Sequence, residues 1–64
     1  MYSNHIKQIR LEKGMSLIEL ADITGISPGY ICHLEKGSRT NPSISIMEKI
    51  AKALGKSIAE IFFE

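Results

Sequence analysis

The sequence has few of the residues that stabilise small domains by covalent or metal cross-links. Its single cysteine, Cys32, excludes a disulfide within the chain. Together with His5 and His33 it lacks the paired spacing of zinc ligands, so no metal site is expected. A chain of 64 residues buries only about 60% of the surface that its unfolded form exposes. Its stability must therefore come from tight helix packing, from association with a second chain, or from both.

Long apolar segments are absent as well. No run approaches the roughly 20 residues that span a membrane, and the N-terminus lacks the unbroken apolar stretch of a signal peptide. We therefore expect a cytoplasmic protein with no membrane contact, built as one domain over residues 1–64.

The sequence also lacks the residue combinations of an enzyme. It contains no Ser/His/Asp set, no glycine-rich loop for phosphate and no pair of carboxylates suited to a cleft. Neither catalysis nor a cofactor is expected. A large net charge is missing too: at +1, with a pI of about 7.9, the chain would make few phosphate contacts per subunit unless it dimerised.

The most informative stretch, residues 16–37, predicts two short helices joined by a tight turn at Gly25. Ser16 and Glu19 have the S-x-x-E spacing of a capping box, which marks the start of the first of these helices. The buried side of this helix is predicted to contain its apolar residues, Leu17, Ile18, Leu20, Ala21 and Ile23.

The second helix of this pair is predicted to begin at Ser27, a favoured N-cap, with Pro28 at the first helical position. Ile31 and Leu34 lie three residues apart on its inner face, and Gly37 can take the left-handed conformation that ends a helix. Its outer face is polar. Two helices around a short glycine turn, the second with a polar outer face, are typical of the helix-turn-helix that binds DNA.

Two longer helices are predicted on either side of this pair. One covers residues 3–13, with Ser3 or Asn4 as its cap. The other covers residues 44–54 and is capped by Ser43. The second carries a regular core stripe at i, i+3, i+4 and i+7, formed by Met47, Ile50, Ala51 and Leu54.

A second capping box, Ser57 with Glu60, predicts a short fifth helix. Neighbouring positions on a helix point about 100° apart, so Phe62 and Phe63 cannot both face inward. Phe62 is grouped with Ile58 and Ile61 on the inner face, which leaves Phe63 exposed as a candidate dimer contact. The fold class is therefore all-α, with five helices.

Motifs along almost the whole chain resemble the phage Cro/repressor (Xre-type) helix-turn-helix family. The segments that carry this resemblance are IKQIRLEKGMS, IELADITGIS, YICHLEKGSRTNPS and MEKIAKALGKSIAEIF. The TNPSI loop is similar to that of Sin-type repressors, and the small controller proteins of restriction–modification systems share the pattern. The resemblance implies a compact five-helix, lambda-repressor-like DNA-binding domain in which helices 2 and 3 form the helix-turn-helix.

The resemblance also implies which residues touch DNA. In this family the third helix enters the major groove, and the residues implied to contact base edges are Pro28, Gly29, Tyr30, Cys32 and His33. Those implied to contact phosphates are Ser16, Ser27, Lys36, Ser38, Arg39, Thr40, Asn41 and Ser43. Arg10 and Glu35 match a structural pair that joins the first helix to the third through a largely buried salt bridge.

Several of these side chains also have a purely structural interpretation. Tyr30 either contacts the DNA backbone or packs against Leu17 and Ile26. His33 either contacts DNA or is simply solvated, and the same choice holds for Lys36 and the loop. Cys32 is interpreted as a small filler rather than as a redox switch.

The sequence thus predicts a sequence-specific regulator of transcription that binds double-stranded DNA, acting as a repressor on a palindromic operator. A homodimer is predicted, with Phe62, Phe63 and Ile46 at its interface. The alternative is a protein-interaction module with a helix-turn-helix fold, or an antitoxin-type partner protein, with weak or no specific DNA binding. A protein partner of the chain would be an antirepressor or a toxin. Leu17, Pro28 and Gly29 favour this alternative, because many family members have polar side chains at these positions.

Overall fold

The computed structural model describes residues 4–37 and 42–63, and these residues form five helices. In chain order the helices are α1 (Ile6–Glu12), α2 (Leu17–Thr24), α3 (Pro28–Lys36), α4 (Ile44–Leu54) and α5 (Ile58–Phe62). The predicted all-α class and the order of the helices are confirmed. The first helix begins later than predicted, and Ser3 lies outside the described residues.

Serine side chains begin four of the helices, as the sequence predicted. They are Ser16, Ser27, Ser43 and Ser57, and each accepts a hydrogen bond from the backbone N–H three residues further on. Two of these caps are reciprocal: Ser16 N–H donates to Glu19 at 2.8 Å and Ser57 N–H donates to Glu60 at 2.9 Å. Because these bonds favour the charged carboxylate, they lower the pKa of both Glu19 and Glu60.

The start of α1 is held by a different device. His5 occupies the N-cap position, and the Asn4 side-chain oxygen accepts the N–H of Ile6 at 3.0 Å. The amide nitrogen of Asn4 donates to the Leu34 carbonyl at 2.8 Å, and the N–H of His5 donates to the Ile61 carbonyl, also at 2.8 Å. Asn4, one of the two predicted caps, therefore attaches the start of α1 to α3, and His5 attaches it to α5.

All five helices contribute to a single core. The most deeply buried large side chains, each less than 2% exposed, are Ile6, Leu20, Ile31, Leu34, Ile50, Leu54 and Ile61. The predicted stripe on α4 is confirmed, because all four of its members are buried.

The predicted buried face of α2 is partly wrong. Leu20 and Ala21 are buried, but Ile18 and Ile23 are 58% and 62% exposed. Positions 17, 20, 21 and 24 fall within an arc of about 100°, whereas 18 and 23 lie about 110° from its centre. A surface helix buries one such arc, so the polar Thr24 lies inside and two isoleucines lie outside.

The ion pair between Arg10 and Glu35 joins α1 to α3. The Arg10 Nε donates to Glu35 Oε2 at 2.8 Å and Nη2 donates to Oε1 at 3.2 Å, while Nη1 donates to the Met15 carbonyl at 2.9 Å. The two side chains are only 9% and 8% exposed. Hydrogen bonding to Glu35 raises the pKa of Arg10 and so favours the charged guanidinium that the pair requires.

Replacing Arg10 with methionine should be strongly destabilising, because it leaves the Glu35 carboxylate nearly buried and unpaired. We expect the free energy of unfolding, measured by urea denaturation, to fall by about 3–5 kcal/mol. The double variant R10M/E35L should recover most of this loss, since an apolar pair can replace a buried ion pair at little net cost. Lys7→Met, on the exposed side of α1, is the matched control. An R10M protein as stable as this control would refute the expectation.

Acid should weaken the two capping boxes. The folded-state pKa of Glu19 and Glu60 is lowered, so their contribution to stability is present above the ordinary glutamate value of about 4.3 and is lost as the pH falls through the folded values. Wild type should therefore lose stability below about pH 5 more steeply than the variant E19Q/E60Q, in which glutamine keeps the box but does not titrate.

The control for this comparison is E12Q/E48Q, which removes two exposed carboxylates that take no part in a cap. Urea denaturation at a series of pH values measures each profile. The control should follow the wild-type profile, and identical profiles for wild type and E19Q/E60Q would show that the charge of the two carboxylates adds no stability.

Candidate nucleic-acid interface

The turn between α2 and α3 consists of Gly25, Ile26 and Ser27. Gly25 has φ +73°, a left-handed conformation that strains other residues, and its N–H donates to the Ala21 carbonyl at 2.8 Å. Ile26 is 8% exposed and anchors the turn in the core. Ser27 then caps α3. The turn predicted at Gly25 is confirmed.

Thr24 fixes this turn from the inside, a role that the sequence analysis missed. Its hydroxyl donates to the Leu20 carbonyl at 2.8 Å and accepts the N–H of Ile26 at 3.2 Å. The side chain is 8% exposed. The available signal was its position four residues after Leu20, on the face that the helix period assigns to the core.

The outer face of α3 is formed by Gly29, Cys32, His33 and Lys36. Helix geometry places Gly29 and Lys36 almost opposite Ile31 and Leu34, with the other two on either side. Gly29, His33 and Lys36 are exposed, and Cys32 is half-buried.

Pro28 and Tyr30 complete the set of proposed base contacts at the start of α3. Pro28 is exposed at the first helical position. Tyr30 is half-buried and packs against the core, which agrees with its structural interpretation. An aromatic ring can still present its hydroxyl at the surface while its body is packed, so this packing does not exclude a DNA contact.

Gly29 is not required by the protein itself. Its φ lies outside the left-handed region, and nothing lies within 4 Å of the place where a Cβ would be. The position therefore leaves an open space on the outer face of α3, close to the helix start.

Four of the predicted phosphate contacts fall within the described residues, and three of these lie at helix starts. Ser16, Ser27 and Ser43 are the N-caps of α2, α3 and α4. Each hydroxyl oxygen accepts the cap bond, and a hydroxyl can donate its hydrogen at the same time, towards an anion near the positive end of the helix dipole. Ser38, Arg39, Thr40 and Asn41 lie outside the described residues.

Comparison with known proteins identifies this arrangement. A family model described as helix-turn-helix matches residues 6–61. The chain belongs to the Cro/repressor (Xre-type) helix-turn-helix family. The resemblance stated from the sequence motifs is thus confirmed.

Among the relatives of this helix-turn-helix chain is the transcriptional regulator SinR of Bacillus subtilis, which is 41% identical over 64 residues. The match covers the whole of this chain and 58% of SinR. The chain therefore spans little more than half the length of this relative.

Solved structures show the same fold. SinR in complex with DNA superposes with a TM-score of 0.81 at 44% identity, covering 84% of this chain and 86% of that one. The complex of SinR with the protein SinI gives 0.82 at 44% identity, over 86% of this chain and 53% of that one. The restriction–modification controller protein C.AhdI of Aeromonas hydrophila gives 0.81 at 32% identity, over 88% and 83%.

One of the residues predicted at a dimer interface is excluded by its burial. Phe62 is 4% exposed and packs in the core of its own helix-turn-helix domain, so it has no surface to offer a second chain. Phe63 is 70% exposed, and Ile46 is half-buried against the core. Neighbouring positions on a helix point about 100° apart, which explains why only one of the two phenylalanines faces outward.

Neither a metal-binding cluster nor a membrane-spanning helix is found in the part of the chain that the structure describes. No cluster of three His, Cys, Asp or Glu side chains there is able to hold a metal ion. Within the same residues, no helix has the length and apolar character needed to cross a bilayer.

Replacing Thr24 with valine should loosen the helix-turn-helix turn. Valine keeps the shape of threonine but leaves the buried N–H of Ile26 without its acceptor. We expect the free energy of unfolding to fall by about 1–3 kcal/mol in urea denaturation. Ile23→Val, an exposed neighbour, should change stability by less than about 0.5 kcal/mol. Equal stability of T24V and this control would count against the role of the hydroxyl.

Proposed function

We propose that this chain is a sequence-specific regulator of transcription that binds double-stranded DNA and acts as a repressor by occupying a palindromic operator as a homodimer. The observation that carries this function is the polar, exposed outer face of α3 on a domain that superposes on DNA-bound SinR with a TM-score of 0.81. Such a regulator works at the chromosome of the cell, which supports a cytoplasmic location.

The fold supports the insertion of α3 into the major groove, because residues of other segments fix the position of α3. Arg10 donates a hydrogen bond to Glu35 near the end of the helix, and the Asn4 amide donates one to the carbonyl of Leu34. Both attachments come from α1 and its preceding residues, on the side opposite the outer face. Residues of the outer face are therefore free to contact bases, because other residues fix the position of the helix.

Base recognition in this proposal depends on few side chains. His33 is the exposed polar group of α3 that lies nearest the outer-face space left by Gly29, and Tyr30 and Cys32 stand beside it. Pro28 and Gly29 offer no polar side chain, but the missing Cβ of Gly29 lets a base edge or sugar approach the helix backbone. Sequence-dependent DNA shape supplies part of the specificity at such an interface.

Phosphate contacts position the domain on the duplex. Ser16, Ser27 and Ser43 each stand at the start of a helix, where a hydroxyl and the backbone dipole both favour an anion. Lys36 contributes an exposed positive charge at the other end of α3. Arg39 and its loop neighbours belong to the proposed set by family resemblance.

Dimerisation is proposed through the surface around Phe63. This ring is 70% exposed beside α5, and Ile46 is the half-buried apolar residue proposed with it. A two-fold dimer would place two α3 helices about 34 Å apart, one turn of DNA, and would double the phosphate contacts of a chain with a net charge of +1. SinR has been solved with the protein SinI, and an antirepressor or toxin is a candidate protein partner here too.

Selection of random duplexes by the purified protein tests this function. We expect a palindromic consensus with half-sites about one turn apart. Affinity for the selected site and for unrelated DNA is then measured at two salt concentrations for wild type, His33→Ala and Lys36→Ala, with Lys7→Ala as the exposed control on α1.

The two variants should fail in different ways. His33→Ala should lower the ratio of specific to non-specific affinity by about tenfold, because one base contact is lost. Lys36→Ala should weaken binding to all sequences alike and reduce the slope of log affinity against log salt by about one. If no sequence is enriched and both variants bind like the control, the DNA function fails and the alternative, a protein-interaction module, stands.

A further inference from the structure

A second surface feature involves α2 and α4 rather than the outer face of α3. A groove of about 390 Å³ runs between α2 and α4 and is lined by Ile23, Thr24, Lys49, Lys52 and Ala53. We call it the α2–α4 groove. Its lining combines apolar residues with two lysines and includes no carboxylate.

The floor of the α2–α4 groove is apolar. Ile23 is 62% exposed, so the fold itself leaves most of this side chain uncovered. Ala53 is half-buried against the core. The hydroxyl of Thr24 is engaged by the backbone of Leu20 and Ile26, so the polar groups that line the groove for a ligand are the lysine ammonium groups.

Lys49 and Lys52 lie three residues apart, which places them on the same side of α4. Both are exposed. Lys52 lies in the last turn of α4, where a positive charge also interacts favourably with the helix dipole, but Lys49 lies a turn earlier and gains little from it. The pair therefore places two positive charges at the rim of the groove.

The groove is separated from two of the residues proposed to meet phosphates, Ser16 and Ser43. Ile23 lies seven positions after Ser16, or about 10 Å along α2, and Lys49 lies six positions after Ser43, or about 9 Å along α4. The groove thus lies where the C-terminal parts of the two helices approach each other, whereas Ser16 and Ser43 cap their N-terminal ends. A third proposed phosphate contact, Ser27, lies three positions after Thr24.

We propose that the α2–α4 groove binds an acidic amphipathic segment of a partner protein. An apolar side chain of that segment would cover Ile23 and Ala53, and carboxylates on either side of it would pair with Lys49 and Lys52. Charge complementarity selects this occupant. A nucleic-acid backbone would pair with the lysines but would make no apolar contact with the exposed isoleucine. An uncharged apolar segment would leave both ammonium groups without a partner of opposite charge. Occupancy of the groove does not require DNA.

The probe for this site is a synthetic peptide of about 18 residues, long enough to form a helix, with leucines at i, i+3 and i+7 and glutamates on either side of them. Its titration into the ¹⁵N-labelled chain, followed by NMR, should give saturable shifts concentrated at the residues of the groove. A peptide with lysine in place of every glutamate is the control and should bind at least tenfold more weakly.

Variants then assign the binding to the two components of the groove. K49Q/K52Q should weaken binding of the acidic peptide by about tenfold or more, while K7Q/K13Q, which removes the same charge elsewhere, should stay within about twofold. Ile23→Ser should weaken it about fivefold, while Ile18→Ser, equally exposed on the same helix, should not. Thermal melts verify that each variant is folded, which is expected because every substituted side chain is exposed.

Two results would overturn the inference. Shifts spread over the whole surface, or equal binding of the two peptides, would show that the groove does not select an acidic segment. A loss of DNA affinity in K49Q/K52Q that clearly exceeds the loss in K7Q/K13Q would assign the lysines to nucleic acid instead. Failure of the DNA function would leave the peptide result unaffected, so the two proposals can fail separately.

Discussion

The attachment of α3 to α1 is the constraint on which the rest of this small domain depends. Arg10 is nearly buried, and a guanidinium removed from water is tolerable only if its donors are satisfied in a fixed geometry. Here two of its nitrogens bind Glu35 and a third binds the carbonyl of Met15, just before α2 begins. One side chain therefore sets the positions of three segments at once: α1, the start of α2, and α3.

Other polar groups also connect separate segments of the fold. The described residues contain no buried side-chain nitrogen or oxygen without a hydrogen-bond partner. Asn4 connects two helices, and Thr24 holds the turn closed. Because this five-helix core has little apolar area to spare, an unsatisfied polar group would cost a large fraction of its stability. The polar connectors and the apolar core thus stabilise the same geometry.

Local signals in the sequence predicted most of the fold, and contacts between distant segments account for what was missed. Serine caps and the left-handed Gly25 act within a few residues, so the helix starts and the turn could be read directly. The errors on α2 arose because hydrophobicity alone assigned Ile18 and Ile23 to the core. The hydrogen bond from Asn4 to Leu34 joins residues thirty positions apart, and no local sequence pattern predicts it. At the candidate site the helix period placed His33 and Lys36 outside, while the exposure of Tyr30 and Cys32 depended on packing.

A net charge of +1 does not make the surface of α3 neutral, because the charges are distributed unevenly. Three of the seven acidic residues are engaged within the fold: Glu19 and Glu60 bind backbone N–H groups at helix starts, and Glu35 is paired with Arg10. Glu35 is the acidic residue of α3, and its pairing turns it towards α1. Lys36 and His33 therefore face outward without a neighbouring carboxylate on their own helix. The local electrostatic potential of this face, rather than the net charge of the chain, governs its attraction to a polyanion.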